Sequence, residues 1–186
     1  RIIPVPIGLE NMKLRVSKAS QQGIFSSEVP GALQKSLLID KVNSLQINKS
    51  ELCYMNFNIN TYPEERQLVW DYFSNQEWVT KTSNLSMEKF YFDIASHKFV
   101  ISPRGNGVDC HRTWEALYLR TIPLVRRSIH TKEFEDLPIF FVDKWSEVDY
   151  NSLIDFYEHV QNTNYNLDKM KISYWRKRIS DERLLK

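Results

Sequence analysis

The sequence predicts an α/β fold whose mainly parallel sheet is wound on both sides by helices. Two observations carry this. Short apolar, β-rich runs at residues 52–57, 78–79, 99–101, 122–125 and 139–142 alternate with segments of helical apolar spacing. In addition, residues 99–127 read as strand, glycine loop, helix, strand, the βαβ unit from which such sheets are built. The chain has 186 residues, 42% hydrophobic and 26% charged. That is enough for one sizeable core, so residues 1–186 are expected to form a single domain.

Taken in order, residues 1–5 are a β-like run that closes on Pro6-Ile7-Gly8. Gly8 then ends a strand, either baring backbone N–H groups toward a ligand or simply permitting a turn. The chain opens on Arg1 rather than methionine, and it is expected to be a segment of a longer polypeptide. Residues 10–49 read as a loop with one or two short helical pieces, holding a Pro30-Gly31 turn and an apolar patch at Leu33, Leu37, Leu38 and Ile39. After the strand at 52–57, Thr61 or Tyr62 is expected to cap a helix with Pro63 at its first position and Glu64 and Glu65 in its first turn. Ser86 starts the next helix, with Phe90 and Ile94 turned inward, and delivers the chain to the strand at 99–101. Beyond Arg127 come a helical turn at 131–136, the strand at 139–142 and a helix at 148–160. A final helix follows, and its Arg176-Lys177-Arg178 run reads as a solvated face.

Several function classes fall away. A net charge of +2 is too small to argue for nucleic acid or an anionic membrane. The aromatics, 13% of the chain, fall mostly at helix-core spacing rather than on a basic face, so no nucleic-acid partner is expected. No apolar run approaches the roughly 20 residues a membrane span needs. Cys53 and Cys110 lie far apart and leave the redox compartment open. His97, His111, His130 and His159 show no metal-ligand spacing, so no metal is expected. Cys110 has no organised partner for nucleophilic work.

The chemistry concentrates in the central unit. Between residues 104 and 132, Arg104, Arg112, Arg120, Arg126, Arg127 and Lys132 face only Asp109 and Glu115, an excess of four positive charges. A glycine loop leading into a helix N-terminus offers backbone N–H groups to an anion, and a guanidinium matches a phosphate in shape and charge. The candidate ligand-binding residues are therefore Gly8, Arg104, Gly105, Asn106, Gly107, Asp109, Arg112 and Thr113. An arginine at a helix start opposes the helix dipole, so Arg112 needs an anion or an acid beside it. Asp109 can be that acid, or the helix cap. The bland alternatives are an Arg104–Asp109 pair and an Arg112–Glu115 pair on one helix face. His111 is the candidate catalytic group, as proton donor or phosphate contact, against a structural place at the helix start. Gly105-x-Gly107 is not the full dinucleotide fingerprint.

Ser102-Pro103-Arg104-Gly105-Asn106-Gly107, Arg112, Glu115-Ala116-Leu117, Ile122-Pro123-Leu124-Val125, Leu137-Pro138 and Trp145-Ser146-Glu147-Val148 together resemble the C-terminal half of exostosin-type glycosyltransferases, over about residues 99–148. Where that family's helix usually ends in a small residue, often glycine, Arg120 and Thr121 stand here. The resemblance implies a Rossmann-like domain forming one half of a GT-B architecture, with a second such domain across a cleft. It implies binding of a nucleotide-sugar donor, probed first as UDP- or GDP-sugar, without a metal cofactor. Glu115 would accept the ribose hydroxyls, and a glycan or other hydroxyl would be the acceptor. It implies the Golgi lumen for a eukaryotic enzyme and the cytoplasm for a bacterial or viral one. The alternative is a binding or regulatory module that keeps the nucleotide pocket and catalyses nothing.

Overall fold

The computed structural model describes residues 4–9 and 31–184. Five strands, β1 (Glu51–Met55), β2 (Val79–Lys81), β3 (His97–Ile101), β4 (Ile122–Arg126) and β5 (Phe140–Val142), form one sheet in the order β2-β1-β3-β4-β5. Every neighbouring pair is parallel, with Cys53 opposite both Val79 and Phe99, and Ile101 opposite Leu124. Six α-helices, α1 (Gly31–Ser44), α2 (Pro63–Phe73), α3 (Met87–Ser96), α4 (His111–Tyr118), α5 (Tyr150–Gln161) and α6 (Ile172–Leu184), cover the sheet. The result is a Rossmann-like, doubly wound α/β fold.

The winding follows from the strands being apolar on both sides, as buried parallel strands must be. Cys53, Met55, Phe99, Ile101 and Leu124 pack toward Val69 and Phe73 of α2 and Leu153 of α5. The intervening Tyr54 and Val100 face the other way, against Leu38 of α1, Tyr91 and Ile94 of α3, and Ala116 of α4. The same helix α4 turns Trp114 and Leu117 toward Val125 and the buried Trp175 of α6. Helix α4 is thus wedged between two clusters, which holds its N-terminus fixed relative to β3.

Local signals act as expected at several ends. The Ser86 hydroxyl caps α3 by accepting from the Lys89 N–H, and Pro63 opens α2, which has no side-chain cap. Three expectations need correction. Residues 4–8 are not a strand, and Gly8 takes the left-handed φ of +69° within an irregular segment. Within 31–49 the chain forms one helix of 14 residues rather than short pieces, while residues 1–3 and 10–30 lie outside the described ones. The cap of α4 is Cys110, not Asp109. At the other end of α4, Thr121 N–H donates to Ala116 O at 2.9 Å and Arg120 takes φ +57°. That is the left-handed position where glycine is favoured, the site at which the exostosin pattern carries a small residue.

Among the described residues, no helix is long and apolar enough to cross a membrane. What the topology does for function is geometric. The connections leave β1 in one direction to β2 and return past it to β3, so the chain diverges between β1 and β3. In open parallel sheets the crevice at that switch point, beyond the carboxyl ends of the strands, is where ligands bind.

Candidate anion-binding crevice

A crevice of about 1060 Å³ opens at that point, lined by the segment after β1 (Asn56 to Thr61), the glycine loop, and the starts of α2 and α4. Its size is that of a site for a nucleotide rather than a single small ion. Two guanidinium groups meet in it. Arg66, on the first turn of α2, is buried; its Nε donates to Arg104 O at 2.8 Å and its Nη1 to Asn58 O at 2.7 Å. Arg112, on the first turn of α4, has a buried Nε with no hydrogen-bond partner. Both guanidinium groups lie over the Phe57 ring, at 5.5 Å and 5.9 Å from its centre. Burial and the charge of Arg112 push the Arg66 guanidinium down to about 10, so it still carries its charge at neutral pH.

No carboxylate lies within ion-pair distance of Arg66, Arg104 or Arg112 among the described residues. A buried and a half-buried like charge brought near each other with no paired carboxylate are unfavourable, and an anion joining them relieves this. Beside the charged Lys35, Asp109 and Glu115, the lining carries amides, hydroxyls and aromatic rings: Asn56, Asn58, Thr82, Asn84, Phe57, Trp70 and Phe90. Such a wall suits a base and a sugar. Asn56 is pre-set, its amide donating to Tyr54 Oη at 3.1 Å and Thr82 Oγ1 at 2.9 Å.

The structure distributes the sequence candidates unevenly. Gly105, Gly107, Asn106, Asp109, His111, Arg112 and Glu115 all line the crevice. Gly105 lies against the Arg66 guanidinium, where an added Cβ would just reach contact with Nη2 at 3.4 Å. Arg104 turns elsewhere: it stacks on the Tyr62 ring at 4.3 Å and lines a separate, smaller cavity. Thr113 lines that cavity too, its hydroxyl 2.9 Å from Ser102 Oγ. Gly8 lies outside the crevice lining, though its neighbour Ile7 is part of it.

Asp109 pairs with neither arginine. Its carboxylate accepts from the Ile7 N–H at 2.8 Å and from the Trp114 indole N–H at 2.9 Å. His111 Nδ1 stands 2.7 Å from Gly8 O and therefore carries the proton there. These two contacts, with Lys35 Nζ donating to Leu9 O at 2.9 Å, fasten segment 4–9 across the mouth of the crevice. Glu115 is buried, and it pairs not with Arg112 but with Lys35 of α1 at 2.8 Å, while Tyr91 Oη donates to the same Oε1 at 2.9 Å. The expected surface pair is a buried one across three helices.

Arg66 is the site residue that sequence reasoning missed. The signal was available: like Arg112, it is an arginine in a helix's first turn, opposed to the dipole. Among the described residues no three His, Cys, Asp or Glu side chains are grouped as a metal site. Compared with known proteins, the chain matches no protein-family model and no curated protein.

Proposed function

We propose that this chain is the donor-binding domain of a glycosyltransferase that uses a nucleoside-diphosphate sugar. One observation carries the reading: two guanidinium groups, Arg66 and Arg112, converge in a nucleotide-sized crevice at the switch point of a doubly wound sheet, and the carboxylates that line it are paired with other donors instead. The order of motifs from Ser102 to Val148, similar to that of exostosin-type enzymes, supports the same assignment. In this reading Arg66 and Arg112 bind the diphosphate and stabilise the charge that develops on it as the sugar's anomeric carbon is displaced. The N-terminal N–H groups of α4 add to that field. The free oxygen of Glu115 accepts from the ribose, with Lys35 and Tyr91 holding the carboxylate in place. No divalent metal is needed, because the arginines supply the positive charge. Acceptor hydroxyl and catalytic base belong to a second domain.

A non-catalytic nucleotide-binding module is the second reading. It is favoured by one feature, that the acids lining the crevice, Asp109 and Glu115, are both engaged by protein donors. Calorimetry with UDP-, GDP-, dTDP- and CMP-sugars in EDTA tests the shared core. The expected result is saturable binding of one nucleotide class, unchanged by added magnesium or manganese. Absence of binding to all four, or binding restored only by metal, overturns the assignment. Turnover with added glycan acceptors separates enzyme from module.

A further inference from the structure

A second cavity, about 210 Å³, lies on the β4–β5 side of the glycine loop. It is roughly seven water volumes, room for one small group and too little for a nucleotide. Its wall carries Glu65, Ser102, Arg104, Arg126, His130 and Trp114. Both carboxylates facing it are already used. Glu65 accepts from the Trp145 indole N–H at 3.3 Å and faces Arg126 Nη1 at 3.5 Å, and Asp109 accepts from Trp114 and from the Ile7 backbone. Ser102 Oγ is spent on Thr113 and Cys110.

The polar atoms without a partner are nitrogens: Arg104 Nε and His130 Nε2, both buried. Asp109 Oδ2, at 3.9 Å, is too far to accept a hydrogen bond from His130 Nε2. His130 is held in this position. Ser128 and Thr131 exchange hydrogen bonds across the turn (Ser128 N–H to Thr131 Oγ1 at 2.8 Å, Thr131 N–H to Ser128 Oγ at 3.1 Å), and the imidazole packs edge-on against Phe134 at 5.4 Å. The unmet demand of a preformed, net-positive cavity is thus for acceptor oxygens. A buried donor left without an acceptor is unfavourable, and an oxyanion between an arginine and a histidine satisfies both.

We infer that this cavity is a second anion site, for a single phosphate or carboxylate group, bounded by Arg104, Arg126 and His130. It is independent of the nucleotide reading, since Arg66 and Arg112 do not line it.

The tryptophans report the two sites separately. Trp114 lines the small cavity and Trp70 lines the crevice. Inorganic phosphate is titrated into the ¹⁵N-labelled protein while the indole N–H resonances are followed, and acetate is titrated in parallel. The expected result is a saturable shift at Trp114 with a dissociation constant on the order of 1 mM, typical for one small ion held by two or three donors. Arg104→Gln and His130→Gln should each weaken it about tenfold, while Arg112→Gln leaves it in place. Response to phosphate alone assigns a phosphate site, and response to acetate as well assigns a general oxyanion site. A linear, non-saturating shift at Trp114, or saturation at Trp70 alone, overturns the proposal. If one variant fails to fold, the wild-type comparison of Trp114 with Trp70 still decides.

Discussion

Replacing Arg112 by glutamine should lower nucleotide affinity and yet leave the free protein as stable as before, or slightly more so. The two guanidinium groups over Phe57 lie 5.5 Å and 5.9 Å from its ring centre. They are therefore at most about 11 Å apart, and their repulsion is at least about 0.4 kcal/mol at an effective dielectric constant of 80 and at least about 1.5 kcal/mol at 20. Arg112 Nε is buried and unpartnered, and removing such a donor relieves about 1–3 kcal/mol of desolvation. Against this stands a cation–π contact of about 0.5–1 kcal/mol. The balance favours stabilisation of about 1 kcal/mol. With a diphosphate bound the sign reverses, because a charge-assisted hydrogen bond of about 1.5–3 kcal/mol is lost, ten- to a hundredfold in dissociation constant. Arg112→Lys should recover only part, lacking the planar fork. Urea denaturation and UDP calorimetry on the same preparations measure both effects. A variant destabilised by more than about 2 kcal/mol, or one that binds UDP as the wild type does, would refute the reasoning.

Three further outcomes are expected. Arg120→Gly, at φ +57°, should stabilise by up to about 1 kcal/mol in urea, since relief of a left-handed side chain (about 1–2) exceeds the chain entropy of glycine (about 0.5–1); a loss of stability would show that the Arg120 side chain matters more than its backbone. Burial and the Arg120 charge lower the Lys49 ammonium to about 8 from 10.5, so between those pH values the unfolded chain holds more protons and stability rises with pH, on the order of 3 kcal/mol across the window. The measurement is wild type minus Lys49→Met, because buried Cys53, whose thiol is pushed up, opposes the trend above its usual range; a difference independent of pH would refute it. Glu115→Gln should cost about 2 kcal/mol, the buried Lys35 losing its carboxylate, and Lys35→Met in that background should restore much of it; an unaltered denaturation midpoint for Glu115→Gln would mean the pair contributes nothing.

The unit from β3 through β4 was legible because three local signals agree there: apolar runs of strand length, paired glycines between them, and 3.6-residue spacing through Trp114 and Leu117. Helix α1 was not legible, and its burial shows why. Leu33 and Leu37 are exposed while Gln34 and Lys35 are buried, so the apolar positions do not mark the inward face. Lys35 is inward because Glu115, eighty residues away, is its partner, and no periodicity announces that. Arg66 was missed for a related reason. Its burial depends on the carbonyls of Asn58 and Arg104 arriving from two loops. From its place beside the helix Asp109 reads as a cap or a counter-charge, whereas its partners are an indole five residues on and a backbone N–H far upstream.

The buried and half-buried cations fall into two groups that the fold treats differently. Where a positive charge holds elements together, it is matched: Lys35 with Glu115 joins α1 to α4, and Arg178 of α6 with Glu133 fastens the turn after β4. Lys49, at the amino edge of the sheet, is matched by the oxygens of Ala95, His97, Leu119 and Thr121 instead. At the carboxyl ends of β1 and β3 this rule stops. Arg66, Arg104 and Arg112 gather there with carbonyls and ring faces as their only partners among the described residues. A chain that pairs its structural charges elsewhere, and commits the acids at this end to Lys35, Trp114 and the Ile7 backbone, keeps a positive field where the topology opens a crevice. Arginine suits that task because it tolerates burial beside aromatic rings without surrendering its proton. The field is then free to act on an incoming anion, and adding an acid there, as in Asn58→Asp, would neutralise it from within.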